Sequence, residues 1–402
     1  MSTSKNGNVG VGTTSPNGDV DFLQRADLST IGASQTNSRR HGKVGTIEYP
    51  AFAVRGDGAM LTFLDGRTAI DLAGANGAIA LGYQHPVVSG WVSQYSGNGG
   101  TLSLPTPLEV IASQMMCDAL SMDARVRWVR TGSEAVSAAV SIAQEDTGNS
   151  CVGVFDGAYH GWHPWTRQVV TLGDSLNLLA LDKTATLRLP DGISSLAAIL
   201  VESPRWLYPG DVYTKRLQEL REHCTKAGVP LIFDDVVYGF RFATGGLQET
   251  TGVTPDLACF SKALGNGFPV GCVVGNPDLM RRTEYRVSST FGGEMTGLAA
   301  ALAVLSVHAS QDVCGELRAS GTDLRNRLDL ALQESPIRVE GQPQHFRFVS
   351  DSREMLDAFL TGCVLNDDPV LIHRDANNIN LAIDSGIRKR IEATVASVAR
   401  KL

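Results

Sequence analysis

From about residue 126 the chain alternates short apolar runs with longer stretches whose apolar residues recur on one helical face. Val126 to Arg130, Cys151 to Phe155, Ala197 to Val201, Val229 to Phe233, the run ending at Phe260, and Val270 to Val274 read as strands. Amphipathic stretches from about Ser133 and from Tyr213 to Lys226 read as helices between them. That order predicts a mostly parallel sheet with helices on both faces, since strands joined through helices run parallel. Upstream, Thr106-Pro107-Leu108-Glu109 carries an N-cap residue, a proline suited to the first helical position and a capping glutamate. Leu108, Ile111, Ala112, Met115 and Ala119 continue it at helical spacing. Between Ala51 and that helix, short alternating segments around Leu64-Asp65-Gly66 predict a hairpin. Residues 1 to about 35 are rich in Ser, Thr, Gly and Asn and predict a mobile tail with at most one short helix near Asp19 to Arg25. Helical patterns return at Leu298 to Val307, Leu317 to Leu332 and Arg388 to Val398.

A chain of 402 residues exceeds the roughly 250–300 residues at which one core stops growing, so two packed units are expected. The net charge of −7 with no lysine-rich run argues against nucleic acid or an anionic membrane as partner. Seven scattered cysteines without a C-x-x-C pair point away from a disulfide framework or a zinc site and toward a reducing cytoplasm. No segment has the build of a signal peptide or a membrane span. Small-molecule chemistry is the expectation left.

The candidate chemistry lies in Cys259-Phe260-Ser261-Lys262-Ala263-Leu264-Gly265-Asn266-Gly267, where a lysine follows an apolar strand and precedes a glycine-rich turn. The chain has 8 lysines against 27 arginines. Lys262 is either a surface residue with its stem along the protein or an amine made nucleophilic by desolvation. Upstream, Leu231-Ile232-Phe233-Asp234-Asp235 is an apolar run ending in two carboxylates, at the strand end where open α/β sheets bind ligands. A lysine that forms a Schiff base and a carboxylate at neighbouring strand ends suit pyridoxal 5′-phosphate (PLP), the amine taking the aldehyde and the carboxylate the ring nitrogen.

With Leu231 to Arg241 followed by Pro255-Asp256-Leu257-Ala258-Cys259-Phe260-Ser261-Lys262-Ala263-Leu264-Gly265-Asn266-Gly267, the sequence resembles the class III PLP-dependent aminotransferases. Within them it is similar to the glutamate-1-semialdehyde 2,1-aminomutase-like branch. The resemblance implies Lys262 as the Schiff-base lysine, Asp234 as partner of the ring nitrogen and Val236 as the aliphatic residue against one ring face. It covers roughly residues 50 to 310 well and the C-terminal region only in outline.

Thr131-Gly132-Ser133-Glu134-Ala135 sits at a strand-to-helix junction, where free N–H groups and the helix dipole favour an anion. An ordinary N-cap by Ser133 fits the local sequence equally. Likeness to the family's Ser-Gly-Thr/Ser-Glu-Ala motif implies Gly132 and Ser133 as phosphate ligands. In Asp156-Gly157-Ala158-Tyr159-His160-Gly161-Trp162-His163, the resemblance implies Tyr159 stacked on the cofactor ring, with His160 and Gly161 completing the turn. His160 and His163 lack a third ligand nearby, so no metal is expected. Glu202 matches the glutamate of the family's Val-Glu-Pro motif, although Ser203 precedes Pro204 here, and implies a supporting hydrogen bond. Thr290 in Ser288-Ser289-Thr290-Phe291-Gly292-Gly293 matches the threonine that binds phosphate from the neighbouring subunit; Glu294-Met295 replaces a frequent Asn-Pro. Asp235 stands where glutamate is usual. Asn37-Ser38-Arg39-Arg40-His41 is either a solvated basic turn or, by likeness to β-amino-acid aminotransferases, a segment whose Arg39 or Arg40 holds a substrate carboxylate. Arg241 either reaches a carboxylate or closes a structural ion pair. Gly10-Val11-Gly12 lacks a preceding strand, and Gly42-Lys43 lacks the rest of a P-loop.

The resemblance implies an α/β protein of fold type I, a large domain with a mostly parallel central sheet plus a smaller α+β C-terminal domain. The expected division is an N-terminal tail and substrate-side segment 1–50, a hairpin segment 51–100, a PLP-binding domain 101–305 and a small domain 306–402. The expected activity is PLP-dependent transfer of an amino group from a small-molecule donor to a keto or aldehyde acceptor, in a cytoplasmic homodimer with shared sites. Intramolecular transfer by an aminomutase, or PLP binding without turnover, are the alternatives.

Overall fold

The structure is a computed structural model that describes residues 18–41, 45–46, 49–167, 169–174, 192–284 and 286–402. The loop sequences at residues 10–12 and 42–43 lie outside them. The helix expected near Asp19 to Arg25 spans Gly18–Ser29.

Three sheets organise the described residues. The first joins β1 (Ala53–Asp57), β2 (Met60–Phe63) and β3 (Thr68–Asp71) as an antiparallel meander. The expected turn lies between β2 and β3: Gly66, at φ 90°, donates its N–H to Phe63 O at 3.0 Å. A late strand, β13 (Val370–Leu371), pairs in parallel with β3 and so ties the two ends of the chain together.

The central sheet has seven strands in the order β4-β10-β9-β8-β7-β5-β6. These are β4 (Arg125–Val129), β5 (Val152–Asp156), β6 (Val169–Asp174), β7 (Ala198–Glu202), β8 (Leu231–Asp234), β9 (Leu257–Phe260) and β10 (Gly271–Gly275). β10 runs antiparallel to both its neighbours, and the other pairings are parallel. β8 and β9 are buried throughout, which explains why they read as unbroken apolar runs and not as alternating patterns.

Helix Pro107–Leu120 begins where its sequence requires: Glu109 Oε1 accepts the Thr106 N–H at 2.9 Å. Helix Met295–Ser310 is apolar nearly all round and buried along most of its length, packed against helices Pro86–Ser96 and Pro107–Leu120. It runs through residues 305 and 306, so the expected domain division falls inside a helix. Beyond it, β11 (Arg338–Gln342), β12 (His345–Val349) and β14 (Asn377–Asn378) form the third sheet, with helices Val313–Ala331, Arg353–Val364 and Ser385–Ala399 beside it.

Candidate active site

Two registers set the site. β7 pairs with β8 so that Glu202 lies opposite Asp234, and β8 pairs with β9 so that Asp234 lies opposite Cys259, three residues before Lys262. Both carboxylates and the lysine therefore stand at the C-terminal edge of the parallel strands. Lys262 itself has φ 50°, a left-handed conformation that a side chain with a Cβ adopts at some cost and that recurs at functional positions. Burial, then the positive charge of Arg205, hold its amine down to about 8, with Asp234 and Glu202 pulling the other way.

A cavity of about 160 Å³ lies beside Lys262, lined by Gly132, Ser133, Tyr159, His160, Gly161, Glu202, Asp234 and Val236 among others. Of the residues expected to hold the cofactor, Thr290 alone does not line it; that side chain is exposed. Arg39 and Arg40 line a different cavity, of about 480 Å³, together with Tyr83 and His373. Arg39 Nη2 donates to Thr36 Oγ1 at 2.8 Å.

The strand-to-helix junction corrects one reading. Helix Gly132–Thr147 is capped by Thr131 and not by Ser133: Thr131 Oγ1 accepts the Glu134 N–H at 3.1 Å, and Glu134 Oε2 accepts the Thr131 N–H at 3.1 Å. The capping-box spacing Thr131-x-x-Glu134 was there to be read. Capping by Thr131 leaves the Ser133 hydroxyl available at the first turn, where the helix dipole is positive. The cradle is tight: a Cβ on Gly132 would stand 2.6 Å from Val236 Cγ1, and one on Gly161, at φ 91°, would stand 2.5 Å from Ser133 Oγ.

Asp234 is buried yet accepts hydrogen bonds from the Val236 N–H at 3.2 Å on Oδ1 and faces His160 Nδ1 at 2.8 Å on Oδ2. Glu202 Oε2 accepts the Tyr159 N–H at 2.9 Å, and Oε1 pairs with Arg205 at 3.1 Å. Glu202 thus bonds the backbone of Tyr159, the residue expected to stack on the cofactor. Burial raises the Glu202 carboxyl, and Arg205 opposes that shift.

One further expectation changes. Among the described residues Arg241 reaches neither a carboxylate nor an ion-pair partner: Nη1 donates to Ile379 O at 2.7 Å and Gln344 O at 3.4 Å, and Nη2 to Gly77 O at 3.0 Å and Ile79 O at 2.9 Å. Carbonyl groups give a buried guanidinium hydrogen-bond partners without a counter-charge, and burial lowers its pKa to about 10. His160 and His163 do not converge, since His163 Nδ1 faces Ser137 Oγ at 2.6 Å while His160 Nδ1 faces Asp234.

The departures from the family pattern have local explanations. Asp235 Oδ1 accepts from Ser203 Oγ at 2.6 Å and from the Leu247 N–H at 2.9 Å, so the serine before Pro204 meets the shorter carboxylate. Glu294 caps helix Met295–Ser310 by accepting the Thr296 and Gly297 N–H groups at 2.8 and 3.0 Å, and it pairs with Arg130. The hydrogen bonds of Asp234 with His160 and of Glu202 with Tyr159, and the pairs of Glu294 and Arg205, had no readable sequence signal, apart from the i, i+3 spacing of Glu202 and Arg205.

The donor set fits PLP: a desolvated amine, a carboxylate with lone pairs left for a ring N–H, a small-residue cradle at a helix start, and a partly exposed aromatic ring. The buried His160 Nε2 has no hydrogen-bond partner among the described residues.

The sequence profile described as "Aminotransferase class-III" matches residues 42–177 and 192–366. Curated relatives include a glutamate-1-semialdehyde 2,1-aminomutase of Desulfatibacillum aliphaticivorans, 31% identical over 79% of this chain and 80% of the relative. Another, from Nitratidesulfovibrio vulgaris, is 30% identical over 92% of this chain and 89% of the relative. Among solved structures, an omega-transaminase from Sphaerobacter thermophilus is 25% identical, with TM-score 0.80 over 98% of this chain and 99% of that one. The FumI protein of Sphingopyxis sp. MTA144, solved with PLP, shares the fold at 21% identity, with TM-score 0.84 over 95% of this chain and 96% of that one.

Proposed function

The chain belongs to the class-III aminotransferases, enzymes that transfer amino groups with PLP, and we propose that Lys262 and Asp234 carry the chemistry here. The observation that supports this assignment best is the convergence of Gly132, Ser133, Tyr159, His160, Glu202, Asp234 and Val236, from four separate stretches of chain, around one cavity beside Lys262.

When bound, PLP supplies an electron sink that makes the proton on the amine-bearing carbon of the substrate acidic. Lys262 would hold PLP through its Nζ and, as a neutral amine beside the substrate, would serve as the base that takes and returns the proton at the amine-bearing carbon. Its low pKa suits both roles, because a neutral amine is the nucleophile and the base. Asp234 would keep a proton on the ring nitrogen, Val236 and Tyr159 would pack against the ring, and Gly132 with Ser133 would hold the phosphate. Glu202 supports the site by fixing the Tyr159 backbone.

We assign Thr290 to the phosphate of the partner subunit's site, in a homodimer; its exposure on this chain supports that placement. Arg39 and Arg40 remain candidates for a substrate carboxylate at their own cavity. The tail and substrate-side segment 1–50, the hairpin segment 51–100, the PLP-binding part from 101 and the small C-terminal part are our working division, with helix Met295–Ser310 as the joint. Among the described residues no single helix is long and apolar enough to cross a membrane, and seven free cysteines suit a reducing compartment such as the cytoplasm.

The names of the curated relatives favour a second reading, intramolecular amino transfer. A panel of amines mixed with the PLP-loaded protein separates the two. Conversion of the cofactor spectrum by an external donor, with release of a keto or aldehyde product, supports the aminotransferase. Isomerisation of one substrate without a second acceptor supports the aminomutase.

A further inference from the structure

Arg130 joins two parts of the molecule that lie 164 positions apart in the chain. Its main chain belongs to the cradle: the Arg130 N–H donates to Glu134 Oε2 at 2.7 Å, on the oxygen that also accepts the Thr131 N–H, just ahead of Gly132 and Ser133. Its side chain belongs elsewhere, since Nη1 pairs with Glu294 at the cap of helix Met295–Ser310. One residue therefore bridges the starts of helices Gly132–Thr147 and Met295–Ser310.

The loop ahead of Glu294 carries Thr290. Ser288, Ser289, Thr290 and Phe291 are exposed, whereas the Glu294 side chain is 11% exposed. The end of the loop lies hard against β4 and helix Pro107–Leu120: a Cβ on Gly292 would stand 2.8 Å from Trp128 O, and one on Gly293 would stand 2.5 Å from Glu109 Cδ. Loop and cradle are thus mounted on the same strand, with the Arg130–Glu294 pair as the charged link between them.

We propose that Arg130 is a positioning residue for the partner subunit's cofactor: through Glu294 it fixes the base of the loop that presents Thr290 to the phosphate there. This rests on the placement of Thr290 at the partner subunit's phosphate.

Three features support it. The cap of helix Met295–Ser310 is complete without the arginine, because Glu294 Oε1 accepts the Thr296 N–H and hydroxyl at 2.8 and 2.6 Å and Oε2 accepts the Gly297 N–H at 3.0 Å. Two of the three residues between Thr290 and Glu294 are glycines, which give the loop little stiffness of its own, and a segment already held in its binding conformation saves the cost of ordering it when the ligand arrives. The paired side chains are 24% and 11% exposed, so solvent ions screen them little.

The test titrates the full-length dimer, stripped of cofactor, with PLP and with pyridoxal, which lacks the phosphate. Arg130→Met keeps the stem and leaves the helix cap in place; Glu294→Asn keeps a capping oxygen without the charge. Each should weaken PLP binding by roughly 3- to 30-fold, a part of what a hydrogen bond to a charged group supplies, and leave pyridoxal binding within about a factor of two. Arg130→Lys should recover part of the loss. Equal losses for PLP and pyridoxal, or no loss, overturn the proposal. Thr290→Val should show the same selective loss, and wild-type PLP affinity in that variant refutes the placement of Thr290, and this proposal with it. A heterodimer of an Arg130→Met chain with a Lys262→Ala chain has one lysine site, in the Arg130→Met chain, and the Thr290 loop facing it comes from a chain with Arg130 intact. That site should bind PLP as the wild type does. Affinity as low as in the Arg130→Met homodimer places the effect in the arginine's own cradle and overturns the proposal.

Discussion

His160 Nδ1 stands 2.8 Å from Asp234 Oδ2, with the two side chains only 4% and 5% exposed. The contact joins the loop after β5 to the end of β8 and fixes the orientation of the carboxylate proposed to face the ring nitrogen. His160→Ala removes that constraint and leaves Asp234 underbonded in a buried site. Cofactor affinity and kcat should each fall by roughly 10- to 100-fold, the scale of a hydrogen bond to a charged group, with His160→Gln recovering part of the loss. Cofactor retention after dialysis and steady-state rates measure it.

The Lys262 amine, held down to about 8 by burial first and by Arg205 second, should be largely neutral in mildly alkaline buffer. The rate at which apoprotein takes up PLP should rise with pH and level off just above 8. A rate still climbing near about pH 10, as for an ordinary lysine, contradicts the desolvated environment.

The Asp235 carboxyl is pushed from an ordinary 3.8 up to about 7, chiefly by burial, with Ser203 and the Leu247 N–H opposing. The folded state thus holds a proton there that the unfolded state has lost, between about pH 4 and 7. The contribution to stability is present at low pH and is lost as pH rises through 7. Asp235→Asn keeps an oxygen for both donors and cannot ionise. Its urea midpoint should approach that of the wild type near about pH 4 and exceed it at pH 8; a difference independent of pH contradicts the assignment.

Glu294 combines a helix cap with the Arg130 pair. Glu294→Ala should cost about 1–3 kcal/mol, while Glu294→Asn, which restores a capping oxygen, should cost less. Denaturant midpoints of the two variants decide the order.

What the sequence disclosed and what it withheld divide by the range of the interaction. The ends of β7, β8 and β9 were legible because apolar runs, terminal carboxylates and the lysine are each written in a few adjacent residues. The Asp234–His160 contact spans 74 positions and leaves no local trace. Arg241 was misjudged for a related reason: its carbonyl partners come from residues 77, 79, 344 and 379, and a backbone acceptor has no signature in the identity of the residue that supplies it. β13 and β14, with two residues each, are too short for a period-two pattern and exist because tertiary partners pair with them. The alternative of a Ser133 cap could have been set aside locally, since Thr131 and Glu134 already had the capping-box spacing.

The central claim is that one lysine, Lys262, holds the cofactor. Borohydride reduction of the PLP-loaded protein, followed by proteolysis and mass spectrometry, tests it most directly. The account predicts a single reduced adduct on the peptide that contains Lys262, and its loss in Lys262→Ala together with turnover. An adduct on any of the other seven of the chain's 8 lysines, or turnover retained in Lys262→Ala, contradicts it.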